Sequence, residues 1–229
     1  MDYELTRDEF EEKLVETLQG HGVAVCKGYT DDFSLIKEEA EKIIENTEEA
    51  DYLFGKVARI GSIEENRVHN PALATFFSQP WMFQKFYEHT GAYVRFTEIF
   101  VQNDYRNDKG VSRNGILHFD RIPTFKFMLY LTDVEKEDGP LSVIPGTHLD
   151  GSYLRTKATE GPNIQYADIK NWPLVDYPEL GYSEDDIVPI CGPAGTLIAF
   201  DTDVFHRGGL VEDDRSRLMV RSHLRGFNG

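Results

Sequence analysis

Cysteine is scarce in this chain of 229 residues: only Cys26 and Cys191 are present. Two thiols make neither a disulfide framework nor a zinc cluster, so a reducing compartment is expected. Basic charge is also short, with 24 Lys and Arg against 40 Asp and Glu, a formal net charge of −16. A field of that sign repels phosphate backbones and anionic lipid, which excludes nucleic acid and membrane surfaces as expected partners. Long apolar runs are missing too, and none approaches the ~20 residues that span a bilayer. The opening "MDYELTRDEFEEKL" is acidic where a signal peptide would be basic and then apolar. Neither internal repeats nor low-complexity tracts occur. A soluble, cytoplasmic protein with a small-molecule partner is the expectation.

What is present falls into two parts. Residues 1–91 read as mostly helical. Thr6 and Glu9 have the form of a capping box, and Phe10, Leu14 and Leu18 recur on one helical face that ends near Gly20. "VAVCKGY" (Val23 to Tyr29) reads as a short strand. A second helix follows, with Asp32 as N-cap and Leu35, Ile36, Ile43 and Ile44 as its buried stripe. Pro80 suits the first turn of a further helix that stops at Gly91. From residue 92 the rhythm changes to short β-rich runs: "AYVRFTEIFVQN", "GILHFD", "FKFMLYLTDV", "PLSVIPG", "DIVPICG", "GTLIAF" and "RLMVRSHL". Even spacing with turn residues between them suggests an antiparallel sandwich or barrel. The 15 Phe and 11 Tyr suit such pleated surfaces. The stretch from about 154 to 186, with Trp172, Tyr166 and Tyr177 among its prolines and glycines, breaks the pattern and reads as a lid. One domain, 1–229, is the simplest organisation: mainly β, with N-terminal helices covering one side of a barrel.

In "GILHFD", His118 and Asp120 stand two apart, so in a strand both project to one face. Two polar groups entering a barrel interior cost about 1–3 kcal/mol each unless partnered, and a metal ion would satisfy both. Alone the pair proves little, because acids are common here and a second His-x-Asp occurs at His148 and Asp150, in a turn-like setting after "PG". His206 changes the odds. It follows the apolar run "GTLIAF" and lies 86 residues beyond Asp120. Two histidines and one carboxylate from separate strands form the facial triad that leaves positions open on Fe(II). Arg217, eleven residues further on, opens the apolar strand "RLMVRSHL". An arginine pointing into a barrel needs a carboxylate partner, because it cannot shed its charge. Arg221 and Arg225 follow at a spacing of four and share its face of the strand.

Together these residues resemble the phytanoyl-CoA dioxygenase-like family of Fe(II)/2-oxoglutarate oxygenases. The resemblance lies in "LHFDRIPTFKFMLYLTDVEKEDGPLSVIPGTH", "GTLIAFDTDVFHRGG" and "RSRL", and covers about 93–224 apart from the lid-like stretch. It implies a double-stranded β-helix, the jelly-roll or cupin-like barrel, with helices packed outside. It implies His118, Asp120 and His206 as iron ligands and Arg217 as the residue binding 2-oxoglutarate. It also implies use of O2, oxidative decarboxylation of 2-oxoglutarate to succinate and CO2, and hydroxylation of a substrate C–H bond.

The chain departs from the family pattern at Gly208, two residues after the distal histidine, where a serine often contacts the cosubstrate; Gln102 is a candidate replacement. Asp120, absent in halogenating relatives, favours hydroxylation, while His148 reads as structural or supporting. An acyl-CoA substrate would need basic groups for its phosphates, and no Lys/Arg cluster precedes the barrel. A small polar metabolite such as an amino acid or amine fits the size and charge better, with specificity expected around Arg121, Lys126, Arg155 and the lid. Two other readings use the same barrel: a cupin-like divalent-metal isomerase or hydrolase, and a non-enzymatic jelly-roll binding module.

Overall fold

The computed structural model describes residues 1–49, 55–106, 115–159 and 178–226. Helix α1 (Arg7–His21) starts where the Glu9 carboxylate accepts from the amide and hydroxyl of Thr6, as the capping-box pattern requires. It runs past Gly20 and ends at Gly22, whose φ of 71° is left-handed. A β-carbon there would stand 2.9 Å from the His148 side chain, whereas one on Gly20 would meet nothing. Gly20→Ala should therefore stabilise the protein by about 0.5–1 kcal/mol. Gly22→Ala should destabilise it by about 1–3 kcal/mol, and urea denaturation of the pair measures both.

Strand β1 (Val23–Cys26) is followed by α2 (Ser34–Glu45). The cap of α2 is Phe33 rather than Asp32, and its buried stripe is Ile36, Ala40 and Ile44. Leu35, expected inside, is 65% exposed. Three elements are absent from the sequence reading: β2 (Lys56–Gly61), α3 (Ile63–His69) and α4 (Pro71–Phe77). Helix α5 (Pro80–Thr90) begins on its proline and stops at the left-handed Gly91, as the pattern indicates.

The β-rich part contains β3 (Val94–Tyr105), β4 (Phe125–Tyr130), β5 (Leu141–Ile144), β6 (Val188–Pro189), β7 (Leu197–Asp201), β8 (Phe205–Gly208) and β9 (Ser216–Gly226). "GILHFD" forms no regular strand; only an isolated antiparallel bridge joins His118 to His206. His148, expected in a turn, opens helix α6 (His148–Thr159). Residues 154–159 of the expected lid thus belong to a helix, and 184–186 form a 3-10 turn. Trp172, Tyr166 and Tyr177 lie outside the described residues.

The strands form a six-stranded sheet in the order β1-β7-β4-β9-β3-β2 and a three-stranded sheet β6-β5-β8, with antiparallel pairing throughout. Alternation of side chains assigns the two faces of the large sheet. Phe125, Phe127 and Leu129, with Leu197, Ala199, Leu218 and Val220, pack under Phe10, Leu14, Leu18 and Phe77 of the helices. Met128, Tyr130, Ile198, Phe200 and Met219 face the small sheet, meeting Leu141 and Val143. The result is a jelly roll with helices over one face. The space between its sheets is where inward-facing polar residues must find partners.

Candidate metal centre

A cavity of about 260 Å³ opens between the two sheets. Its polar wall is written in the alternation of β4, β9 and β3. Lys126 shares the inward face of Met128, Arg217, Arg221 and His223 share that of Met219, and Gln102 and Asp104 complete the wall. His206 enters from β8, paired with Val143 of β5, so it occupies a strand rather than a loop.

Backbone pairing brings the other ligand candidates to it. The amides of His118 and His206 donate to each other's carbonyls at 2.9 and 2.7 Å, and the amide of Asp120 donates to the carbonyl of Thr202 at 2.8 Å. Leu117 and Phe119 turn outward into an apolar cluster with Phe205, leaving His118 and Asp120 facing inward. The expected alternation therefore holds although the expected strand does not. One donor atom from each of His118, Asp120 and His206 lies within 4.8 Å of the others.

Hydrogen bonds behind the imidazoles set their tautomers. His118 Nδ1 lies 2.7 Å from the carbonyl of Ile116, and His206 Nδ1 lies 2.8 Å from that of Val204. A carbonyl only accepts, so both Nδ1 atoms carry the proton and both Nε2 lone pairs are free to bind a cation. They point to Asp120, whose Oδ1 is 3.9 Å from His118 Nε2 and 3.6 Å from His206 Nε2. The donor set of two neutral imidazoles and a carboxylate fits Fe(II). Burial pushes the Asp120 carboxyl up, but the Lys126 ammonium at 2.6 Å outweighs it and holds it well below the usual range.

Burial, with His206 beside it, lowers the His118 imidazole to about 4. Burial likewise holds His223 well below its ordinary value. An unfolded histidine protonates near 6.5, so between that pH and about 4 the unfolded chain binds more protons than the folded one. The metal-free protein is therefore expected to be fully stabilised by these groups above pH 6.5 and to lose stability as the pH falls towards 4. Denaturation midpoints at pH 7 and pH 5 check the direction.

Arg217 lies opposite Asp104 in the β3–β9 register and donates to its carboxylate at 2.5 Å. Its Nε and Nη1 are buried without a partner. Gln102, a candidate cosubstrate contact in the sequence, donates to Asp104 and accepts from Arg221, so it joins Arg221 to the carboxylate that holds Arg217. Gly208 lines the cavity. Arg155 of α6 forms an ion pair with Asp203 and donates to the carbonyl of Asp120, bracing the ligand loop from behind. Arg225 binds Glu98 and Thr124 instead of entering the cavity, and His148 stands against Gly22, outside the clustered donors. The acidic network among Asp104, Gln102 and the arginines has no motif in the chain. Only the period-2 alternation of β3 could have signalled it.

The family model for phytanoyl-CoA dioxygenase matches residues 24–219. The chain belongs to the phytanoyl-CoA dioxygenase family. Membership makes it an Fe(II)/2-oxoglutarate-dependent oxygenase that uses O2, with the jelly-roll fold that the resemblance implied. No curated protein matches the chain by sequence. Among solved structures, the epimerase SnoN in complex with Fe3+, alpha ketoglutarate and nogalamycin RO is 15% identical. It has a TM-score of 0.67 over 96% of this chain and 84% of its own. The carbocyclase SnoK from nogalamycin biosynthesis is 17% identical with a TM-score of 0.66, over 96% of this chain and 85% of its own. A prolyl 4-hydroxylase from Phytophthora capsici is 14% identical with a TM-score of 0.60, over 96% and 64%. At these identities the likeness is one of fold. Among the described residues no helix is long and apolar enough to cross a membrane.

Proposed function

We propose that residues 1–229 form a single oxygenase domain in which His118, Asp120 and His206 hold the iron and Arg217 holds the distal carboxylate of 2-oxoglutarate. In this reading, 1–91 is mostly helical support, and 92–229, the barrel with a lid-like insert near 154–186, carries the reaction, hydroxylation of an unactivated C–H bond of a small polar metabolite. The observation that carries it is the coexistence, in one cavity, of three clustered donors and a buried arginine with two free N–H groups.

Bound iron, with 2-oxoglutarate and O2, supplies the oxidising power for breaking a C–H bond and inserting oxygen. The chain's own residues do the rest. Ile116 and Val204 carbonyls lock the imidazoles with Nε2 forward. Lys126 keeps Asp120 ionised and holds its Oδ2, leaving Oδ1 turned to the histidines. Asp104 fixes Arg217 against one wall through Nη2, which leaves Nε and Nη1 as donors for a carboxylate. Met128, Phe200, Met219 and Leu141 make the remaining surface apolar and exclude water.

The acidic excess of the chain does not extend into this cavity, whose walls carry Lys126, Arg217 and Arg221. Of the two small-metabolite classes, amino acid and amine, the cationic wall favours the one bearing a carboxylate. A cupin-like metal isomerase would have no use for Arg217, and a passive binding module would have no use for two forward-facing Nε2 atoms.

Anaerobic titration of Fe(II)-loaded protein with 2-oxoglutarate should produce the visible metal-to-ligand charge-transfer band, and aerobic incubation should release succinate. An iron-loaded protein that gives no band would point to the isomerase or hydrolase reading. Failure to retain iron would remove the metal-centre assignment altogether.

A further inference from the structure

The cavity contains more positive charge than iron and 2-oxoglutarate call for. Lys126, Arg217 and Arg221 face Asp104 and Asp120, and a divalent metal and a dianionic cosubstrate cancel one another. One positive charge is left over, and the geometry says where it resides. Arg217 has Asp104 at 2.5 Å and Lys126 has Asp120 at 2.6 Å. Arg221 has no carboxylate within ion-pair distance among the described residues. Its hydrogen-bond partner is the neutral Gln102, its Nε is buried without a partner, and its guanidinium lies 5.1 Å from the centre of the Phe100 ring. Beside it, His223 stacks on the same ring at 4.4 Å, 7% exposed, with both ring nitrogens unpartnered.

These groups occupy adjacent places on one wall. Arg221 is opposite Met128 and His223 is opposite Lys126 in the β4–β9 register. Asp104 and Asp120 act on Arg221 only from a distance; holding a guanidinium out of water without a carboxylate in contact is costly, and so is leaving three ring and guanidinium nitrogens unbonded. An entering anion supplies the guanidinium with a contact counter-charge and accepts from Arg221 Nε and from the one N–H of the neutral His223 ring.

We propose that Arg221, His223 and Lys126 form a second anion-binding position, separate from the cosubstrate arginine, and that the oxidised substrate is an organic anion held there by a carboxylate or phosphate group. The inference rests on the assignment of 2-oxoglutarate to Arg217. Gln102 acts as a positioning residue: by accepting from Arg221 while donating to Asp104, it holds the two guanidinium groups on their separate tasks. Phe100 supplies a flat support that keeps the Arg221 fork in plane.

The test uses matched probes on the full chain loaded with Fe(II) and 2-oxoglutarate under anaerobic conditions. Propanoate, benzoate and phenyl phosphate are compared with propylamine, benzylamine and benzyl alcohol by calorimetry, while the charge-transfer band is monitored to show that the cosubstrate stays bound. The expected result is binding of at least one anion, with the band retained, and no binding of the amines or the alcohol. Whether the carboxylates or the phosphate ester bind tells which anionic group the site takes. Arg221→Met should weaken the probe anion about ten- to a hundredfold while 2-oxoglutarate still gives the band at near wild-type concentration. His223→Phe, which lies outside the iron ligands and keeps the stack on Phe100, serves in its place should Arg221→Met fail to fold. Binding of amines or alcohol as tight as that of the anions, or no anion binding to the loaded wild type, overturns the proposal. A probe anion unaffected by Arg221→Met, with the band lost only in Arg217→Met, overturns this inference and leaves the cosubstrate assignment standing. A band lost in Arg221→Met and kept in Arg217→Met overturns both.

Discussion

Replacing Asp120 by alanine is expected to lower Mn(II) or Fe(II) affinity by more than about a hundredfold and to end succinate release. Loss of a group that merely orients a ligand costs roughly 10–100-fold in metal affinity, and Asp120 is proposed as a ligand itself. The structure makes the expected effect larger than the removal of one donor. Lys126 Nζ sits 2.6 Å from Asp120 Oδ2 and is 8% exposed. Without the carboxylate, its ammonium faces the two imidazoles uncompensated and repels an incoming dication. The same uncompensated charge should destabilise the metal-free variant, for which breaking a buried pair sets a scale of about 3–5 kcal/mol; the partial exposure of Asp120 puts the expected loss below that range. Asp120→Ala combined with Lys126→Met separates the two effects. The double variant should recover most of the lost stability and still show no metal-dependent rise in melting temperature. A metal-dependent rise in Asp120→Ala equal to that of the wild type would place the metal elsewhere.

Arg217→Met should raise the 2-oxoglutarate concentration needed for half-formation of the charge-transfer band about ten- to a hundredfold. The scale is that of one charge-assisted hydrogen bond, about 1.5–3 kcal/mol. A second consequence comes from Asp104, which is 7% exposed and accepts from Arg217 and Gln102. Removing the guanidinium leaves that buried carboxylate with the Gln102 amide as its donor and Arg221 as a more distant cation, so the variant is expected to lose stability at or below the scale of about 3–5 kcal/mol for a broken buried pair. Arg217→Met with Asp104→Asn removes the stranded charge at nearly constant shape. It should return most of the stability while leaving 2-oxoglutarate binding weak. Melting curves and the band titration, run on the wild type and these variants, distinguish a binding role from a structural one. If the double variant bound 2-oxoglutarate like the wild type, the arginine would be an internal partner of Asp104 and nothing more.

Elements whose signal is local were legible. The capping box at Thr6 and Glu9, the proline start and glycine stop of α5, and the apolar alternation of β4 and β7 all depend on residues a few positions apart. Elements whose stability comes from neighbours were not. β2 is half-exposed with an irregular pattern, and it is a strand because β3 supplies its hydrogen bonds. The inward aim of His118 and Asp120 was correct for a reason the chain does not state. A single bridge to His206 and one amide bond to Thr202 hold that segment, where a regular strand was expected.

By itself, the sequence determined the class of chemistry: two histidines, an aspartate and an arginine at spacings that match an Fe(II)/2-oxoglutarate oxygenase, on a β-rich frame behind helices. Composition determined the charge of the whole and nothing about the charge of the cavity. That was decided by the tertiary structure. Three strands far apart in the chain, β3, β4 and β9, turn alternate residues into one space and gather Lys126, Arg217, Arg221 and His223 there. The reason is geometric. A strand's pleat sets which residues share a face, but the neighbour across the sheet is chosen by register between distant segments. An acidic chain thereby encloses a basic cavity.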